Sequence, residues 1–145
     1  MAHEPSPMSF REKSAWISLA SLLIVFGIYF WNVARIMARK AAFRDFPLFF
    51  SLLVALIVAE VVLHVLIAVR SPKDARTPKD ERERLIELKA TRSAFAVLLV
   101  GSMASIWTMH LRVGVWVMAH CVLLSVVVAE VVKFGRQIIL YRRDA

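Results

Sequence analysis

The sequence predicts an all-α integral membrane protein with four transmembrane helices, arranged as two hairpins related by a parallel repeat. Hydrophobic residues make up 59% of 145 positions and the mean hydropathy is +0.65, more apolar than is usual for a soluble domain. Four stretches carry almost no charge, and each approaches the ~20 residues that a helix needs to cross hydrocarbon. The pentapeptide Val-Ala-Glu-Val-Val occurs at 58–62 and at 128–132, which indicates that the two halves are related.

The predicted elements follow in order after an N-terminal tail over 1–14. Spans at about 15–34 and 46–69 form the first hairpin, 15–69, and spans at about 93–111 and 113–134 form the second, 93–134. A basic tail follows over 135–145. Because the apolar runs are continuous rather than alternating, they predict helices and not barrel strands.

A charged linker over 70–92 joins the two hairpins. Thr77 is predicted to cap a helix that has Pro78 at its first position and acidic residues in its first turn, and that runs on into the third span. The apolar members of this segment are Leu85, Ile86 and Leu88. Two interpretations are open: a turn at the lipid headgroups, or a docking surface for a cytoplasmic partner. The docking candidates are Asp80, Arg82, Arg84, Leu85 and Leu88.

The basic residues predict the orientation of the chain. Most of the 19 lysines and arginines lie in the two tails and the linker, which share one side of the membrane in a four-span chain. The positive-inside rule makes that side, with both termini, cytoplasmic. The net charge of +8 is then explained by topology and by attraction to anionic lipid, the bilayer being the first partner. No nucleic-acid-binding motif accompanies the charge, so no direct binding of nucleic acid is predicted.

Four polar residues inside the apolar runs are the candidates for proton handling. They are Glu60, His64, Glu130 and His120. A charged, unpaired carboxylate in the membrane costs ~3 kcal/mol or more, so the presence of each glutamate in an apolar run needs an explanation. It can be protonated and bridge helices, or it can handle a proton or cation. Glu130 can also pair with Lys133 one turn later. Since His64 and His120 are predicted to lie roughly 21 Å apart in depth, neither a metal site nor a cofactor is expected within one chain.

Small residues at helical spacing mark the faces on which helices can approach closely. They are Ala55 and Ala59 on the second span, Gly101 and Ser105 on the third, and Ser125 and Ala129 on the fourth. On the second and fourth spans the polar residues lie opposite the small ones, so both faces favour protein contact. This pattern predicts a homo-oligomer or a membrane partner.

Two segments, Met8–Leu19 and Asp80–Ala90, carry a resemblance to a known group of proteins. They resemble an uncharacterised family of small bacterial four-span inner-membrane proteins, and the resemblance covers most of the chain from Met8 onward. It implies a location in the bacterial inner membrane. Genes of that family often lie beside helix-turn-helix regulators, which implies a cytoplasmic regulator as partner. The family offers no catalytic residues to carry over.

The sequence therefore predicts a non-enzymatic membrane protein with a regulatory or interaction role, whose linker docks a cytoplasmic partner. The alternative is a small proton-coupled transporter or channel that uses the intramembrane glutamates. An enzyme is not expected, because the sequence shows no nucleophile–base pair, metal quartet or glycine-rich phosphate loop.

Overall fold

The computed structural model describes residues 10–38, 80–111 and 114–143, and positions 51, 54, 55, 58, 59, 61, 62, 65, 66 and 69. Within this part of the chain, the continuous elements are three helices: α1 (Phe10–Ala38), α2 (Glu81–Trp107) and α3 (Val115–Arg143). Each helix is long and apolar enough to cross a membrane. The all-α class predicted from composition is therefore confirmed.

The predicted number of spans is wrong. Over the described residues the structure has three helices of membrane-spanning length and composition, not four. Of the predicted second span, 46–69, only isolated positions are described. The two-hairpin repeat built on that span is corrected with it. The prediction of four spans rested on the hydropathy of four apolar segments. Hydropathy describes the composition of a segment, whereas a helix is counted from the path of its backbone.

The central helix is α3, which packs against α2 on one side and against α1 on the other. Glu12 near the start of α1 pairs with Arg142 at the end of α3, and Tyr29 further along α1 stacks on His120 near the start of α3. The α1–α3 pair is therefore antiparallel. The chain connects α2 to α3 through a short turn, so this pair is antiparallel as well. Consequently α1 and α2 run parallel and begin at the same end of the bundle.

The start of α2 is defined by a capping box. Asp80 has extended backbone angles (φ −65°, ψ 156°), and its carboxylate accepts a hydrogen bond from the Glu81 N–H at 2.8 Å. The Glu83 carboxylate accepts in return from the Asp80 N–H at 3.4 Å. Because an acidic side chain satisfies the free N–H groups of a first turn, the helix begins at Glu81. Asp80 is thus the cap itself and not a first-turn residue as predicted, while Thr77 and Pro78 lie outside the described residues.

The helix bounds also differ from the predicted spans. A single helix, α2, contains both the end of the linker and the third span, and it stops at Trp107 rather than near 111. The backbone from Thr108 to Leu111 forms turns closed by hydrogen bonds such as Thr108 N–H to Ser105 O at 3.2 Å. At the other end, α3 continues past 134 to Arg143, so the basic tail is largely helical.

Much of the apolar surface of the bundle faces outward. Large side chains are exposed on every helix, for example Ile24 (62%) on α1, Val100 (72%) on α2 and Val115 (76%) on α3. In water, apolar surface on this scale would favour aggregation, whereas in lipid it needs no cover. The apolar helices are therefore compatible with a membrane location. The exposed tryptophans lie near helix ends, the position of an interfacial aromatic belt: Trp16, Trp31, Trp107 and Trp116.

Candidate interaction site at the charged end

Ion pairs join all three helices at one end of the bundle. The Arg11 Nε of α1 lies 2.7 Å from the Glu83 Oε2 of α2, and the Arg142 Nε of α3 lies 3.3 Å from the Glu12 Oε1 of α1. The Arg142 guanidinium also lies 5.5 Å from the centre of the Trp16 ring, a cation–π distance. We call this end, which holds the starts of α1 and α2 and the end of α3, the charged end.

Glu12 is the most buried acidic group of the charged end. The residue is 8% exposed, although it lies only two positions from the start of α1. Its partner Arg142 keeps 62% of its side chain exposed, so the pair sits at the rim of the bundle. A carboxylate in the first turn of a helix also suits the helix dipole. The contact therefore ties the two ends of the described chain together without a fully buried charge pair.

The docking candidates lie on the outer side of the first turns of α2. Asp80, Arg82 and Arg84 are exposed, and Leu85 and Leu88 are 53% and 65% exposed. We call the exposed pair, Leu85 and Leu88, the leucine face. Ile86, grouped with these leucines in the sequence, is instead only 2% exposed. The apolar patch is thus divided between the bundle interior and the outer surface.

Ile86 belongs to the buried stripe of α2. Ile86, Ala90 and Ala94 recur every four residues, and all three are buried. They form the stripe by which α2 packs into the bundle, and Leu85 and Leu88 project from the opposite side.

Of the two glutamates predicted to lie in the membrane, the structure describes Glu130. Glu130 Oε2 lies 2.9 Å from Lys133 Nζ, so the ion pair one turn apart is the arrangement that the structure shows. Lys133 also lies 5.1 Å from the centre of the Phe134 ring. This pair is one of the alternatives given for Glu130 from the sequence, and proton handling by Glu130 stays a prediction. Glu60 and His64 lie outside the described residues.

His120 belongs to the core between α1 and α3. Its ring is parallel to that of Tyr29 at 5.9 Å, and its Nδ1 lies 2.6 Å from the carbonyl oxygen of Trp116. Because that oxygen can only accept, Nδ1 carries the proton. His120 is 6% exposed, so its ring is packed inside the bundle, and its proton-handling role stays a prediction. Over the described residues, no three His, Cys, Asp or Glu side chains are close enough together to hold a metal ion.

The small residues of the third and fourth predicted spans meet each other. A Cβ atom added at Gly101 would lie 2.7 Å from Ser125 Cβ, so the two backbones approach as closely as glycine allows. Ser105 Oγ lies 3.3 Å from Ser125 Oγ, and Ala129 is buried one turn further along α3.

The small residues of the second predicted span are described singly. Ala55 is exposed and Ala59 is partly buried, and the structure describes each only as an isolated helical position.

Both faces of α3 are covered within a single chain. Its small face, with Ser125 and Ala129, is buried, and Ser125 contacts α2. Its opposite face, with His120 and Val127, packs against α1. The homo-oligomer or membrane partner was predicted because both faces favour protein contact. The central position of α3 supplies such contact on both faces within one chain, and the oligomer or partner stays a prediction.

Two features of the charged end were not identified from the sequence. One is the pairing of Glu12 with Arg142, whose positions differ by 130 in the chain. The other is a groove on the outer side of α3 near Arg136 and Arg143. A single sequence carries no signal for the first. For the second, the two arginines are seven residues, or two helical turns, apart, and this spacing indicates that they lie on the same side of a helix.

Comparisons with known proteins identify no relative. No family model matches the chain, and neither a curated protein nor a solved structure matches it. The resemblance to small four-span inner-membrane proteins therefore stays a prediction. The class that the structure supports is an all-α chain with three candidate membrane-spanning helices among its described residues.

Proposed function

We propose that this chain is an integral membrane protein whose charged end lies in the cytoplasm, in the bacterial inner membrane. The exposed apolar surface of all three helices supports the embedding. The orientation is supported by the basic residues near the charged end, among them Lys13, Arg84, Lys89, Arg92 and Arg136, since such residues are retained on the cytoplasmic side. Alkaline carbonate extraction tests the first part, and cysteine accessibility at the chain ends tests the second.

The proposed role is non-enzymatic: the protein docks a cytoplasmic partner on the leucine face of α2. The carrying observation is that Leu85 and Leu88 are exposed at the charged end while Ile86 and Ala90 anchor the same turns to the bundle. Two leucines three residues apart share one side of a helix. With Arg82 beside them, they offer the apolar centre and charged rim that interfaces favour.

The continuity of α2 favours docking over the headgroup interpretation. An interfacial helix lies in the plane of the membrane. The turns that carry Leu85 and Leu88 instead belong to the same helix as the span that ends at Trp107. They therefore follow the axis of that span, and Leu85 and Leu88 face outward at the charged end, where a soluble partner can reach them.

Site-specific photocrosslinking in cells tests the docking surface. A photoreactive residue at position 88 is expected to form one discrete adduct with a cytoplasmic protein, and the same residue at position 99 only lipid adducts. Leu99 is the matched control, because it is 47% exposed on the same side of α2 but lies within the apolar stretch. Leu85→Ala or Arg82→Ala is expected to lower the protein adduct about tenfold, the loss typical of a central contact.

Two outcomes would contradict this role. Lipid adducts alone at both positions would show that the leucine face contacts headgroups. If the leucine face docks a partner, a Glu60→Gln chain should still form the protein adduct. The second contradicting outcome is a pH-driven flux in proteoliposomes that Glu60→Gln abolishes, because the transporter alternative would then replace docking.

A further inference from the structure

An open groove on the outer side of α3 combines an apolar floor with two cationic side chains. It has a volume of about 440 Å³, and Arg136, Ile139 and Arg143 of its lining are exposed. Among the described residues, its lining is Val132, Gly135, Arg136, Ile139, Leu140 and Arg143. Gly135 leaves the floor open, since a Cβ added there would meet no atom within 4 Å.

The two arginines differ from the other cations that meet carboxylates near this end. Arg11 pairs with Glu83, Arg142 with Glu12, and Lys133 with Glu130. Among the described residues, no ion pair joins Arg136 or Arg143 to an acidic side chain. Their positions differ by seven, so they lie on one side of the helix roughly 10 Å apart along its axis. Two guanidinium groups that have no ion pair among the described residues therefore face the same groove.

The groove lies at the boundary between the apolar and the charged part of α3. The uncharged run that precedes it ends at Val132, and charged residues begin at Lys133. Val132 thus opens the groove toward the hydrocarbon, while Arg143 closes it at the charged end. A ligand that fills it must have an apolar part on the membrane side and a negative part on the other.

We infer that this groove binds one anionic phospholipid, whose phosphate contacts Arg136 and Arg143 and whose acyl chain lies against Val132 and Ile139. Arginine matches the geometry of a phosphate with paired N–H groups, and cations beside an apolar helix attract anionic lipid. Free phosphate would leave the apolar floor unused. The inference deepens the proposed function, because it rests on the membrane location proposed above.

Native mass spectrometry of the full chain in detergent tests the inference. The probes are phosphatidylglycerol and phosphatidylcholine with identical acyl chains, plus inorganic phosphate as a competitor. One phosphatidylglycerol is expected to be retained per chain, in preference to phosphatidylcholine and in the presence of phosphate. The double change Arg136→Gln with Arg143→Gln is expected to weaken retention about tenfold.

The matched control is Lys89→Gln with Arg92→Gln, which removes two exposed charges from α2 outside the groove and is expected to keep the preference. Gly135→Leu fills the floor with both arginines in place, and is expected to reduce retention as well. If the arginine variant does not fold, the retention of phosphatidylglycerol by Gly135→Leu alone tests the lipid site.

Three results would overturn the inference. They are equal retention of the two lipids, full competition by inorganic phosphate, and unchanged retention of phosphatidylglycerol both in the Gly135→Leu chain and in the arginine variant. Carbonate extraction separates this failure from failure of the membrane proposal. A chain that stays in the membrane pellet but shows no lipid preference loses only the lipid site. A chain released by carbonate loses the membrane location and the lipid site with it.

Discussion

The two faces of α3 make helix contacts of opposite kinds. Toward α2, Gly101 meets Ser125 with backbones so close that no Cβ fits between them. Toward α1, the contact is built from large side chains, with Tyr29 stacked on His120 and Phe26 packed near Val127. One face of α3 therefore packs through small residues that let the backbones approach, and the other face packs through large aromatic side chains.

This difference matters because lipid gives little hydrophobic gain for bringing two helices together. A close contact stabilises through many short-range van der Waals interactions, which fall off steeply with distance. An aromatic contact distributes its energy over ring faces that can shift slightly. We therefore expect the α2–α3 contact to respond sharply to one added methyl group, and the α1–α3 contact to respond less to a larger change.

The largest effect is expected for Gly101→Ala. The added methyl would lie 2.6 Å from Ser125 Oγ and 2.7 Å from Ser125 Cβ, so the helices must separate. Overpacking of this kind lowers the free energy of unfolding by about 2–3 kcal/mol. SDS titration in mixed micelles, followed by circular dichroism, measures the change.

Gly27→Ala is the control for Gly101→Ala, because a Cβ at Gly27 meets nothing within 4 Å. It is expected to be neutral or slightly stabilising, since alanine favours helix. Adding Ser125→Gly to Gly101→Ala removes both clashing atoms and leaves Ser125 Cα at 3.4 Å. The pair should recover most of the loss. Equal destabilisation by the two glycine changes would refute the close contact.

A smaller effect is expected on the aromatic face from Tyr29→Leu. The change removes the ring stacked on His120 but keeps an apolar side chain, so it should cost about 1 kcal/mol of unfolding free energy. The same SDS titration measures it. Phe95→Leu is the control, because Phe95 is 59% exposed on α2 and should cost almost nothing. If Tyr29→Leu cost more than Gly101→Ala, the ranking of the two faces would be reversed.

The smallest effect is expected for Ser125→Ala, about 0.6 kcal/mol or less. Ser125 Oγ already donates its proton to Cys121 O at 2.8 Å, and Ser105 Oγ donates to Gly101 O at 2.8 Å. The two hydroxyls have two protons for three contacts, so the 3.3 Å contact between their oxygens competes with the bonds to the carbonyls. The close approach, and not this contact, should carry the stability of the hairpin.

Ser93→Ala calibrates that measurement, because Ser93 Oγ likewise donates to a carbonyl one turn earlier, Lys89 O at 3.0 Å. Subtracting the change in unfolding free energy of Ser93→Ala from that of Ser125→Ala leaves the part due to the contact between the helices. A difference above about 1.5 kcal/mol, near the upper end for such bonds in membranes, would show that the hydroxyl pair holds the hairpin together.

Parts of the candidate site could be anticipated from the sequence because they depend on local geometry. A lysine three residues after Glu130 predicts the ion pair that is observed. Leu85 and Leu88 stand out as apolar residues among charges. The burial of Ile86 between them could not be read from the same residues, since it depends on which side of α2 faces the rest of the bundle.

What the sequence determined by itself is the all-α class and the membrane-spanning composition of its helices, because both follow from the length and continuity of apolar runs. The tertiary structure decided what those runs contact. It placed α3 at the centre, so that Ser125 and His120 are both buried within one chain, and it corrected the count of spans over the described residues to three. It also placed Arg136 and Arg143 beside an apolar groove, while Arg142 pairs with Glu12 at the rim of the bundle. Composition is local to a segment, whereas contacts depend on how separate segments are positioned against one another.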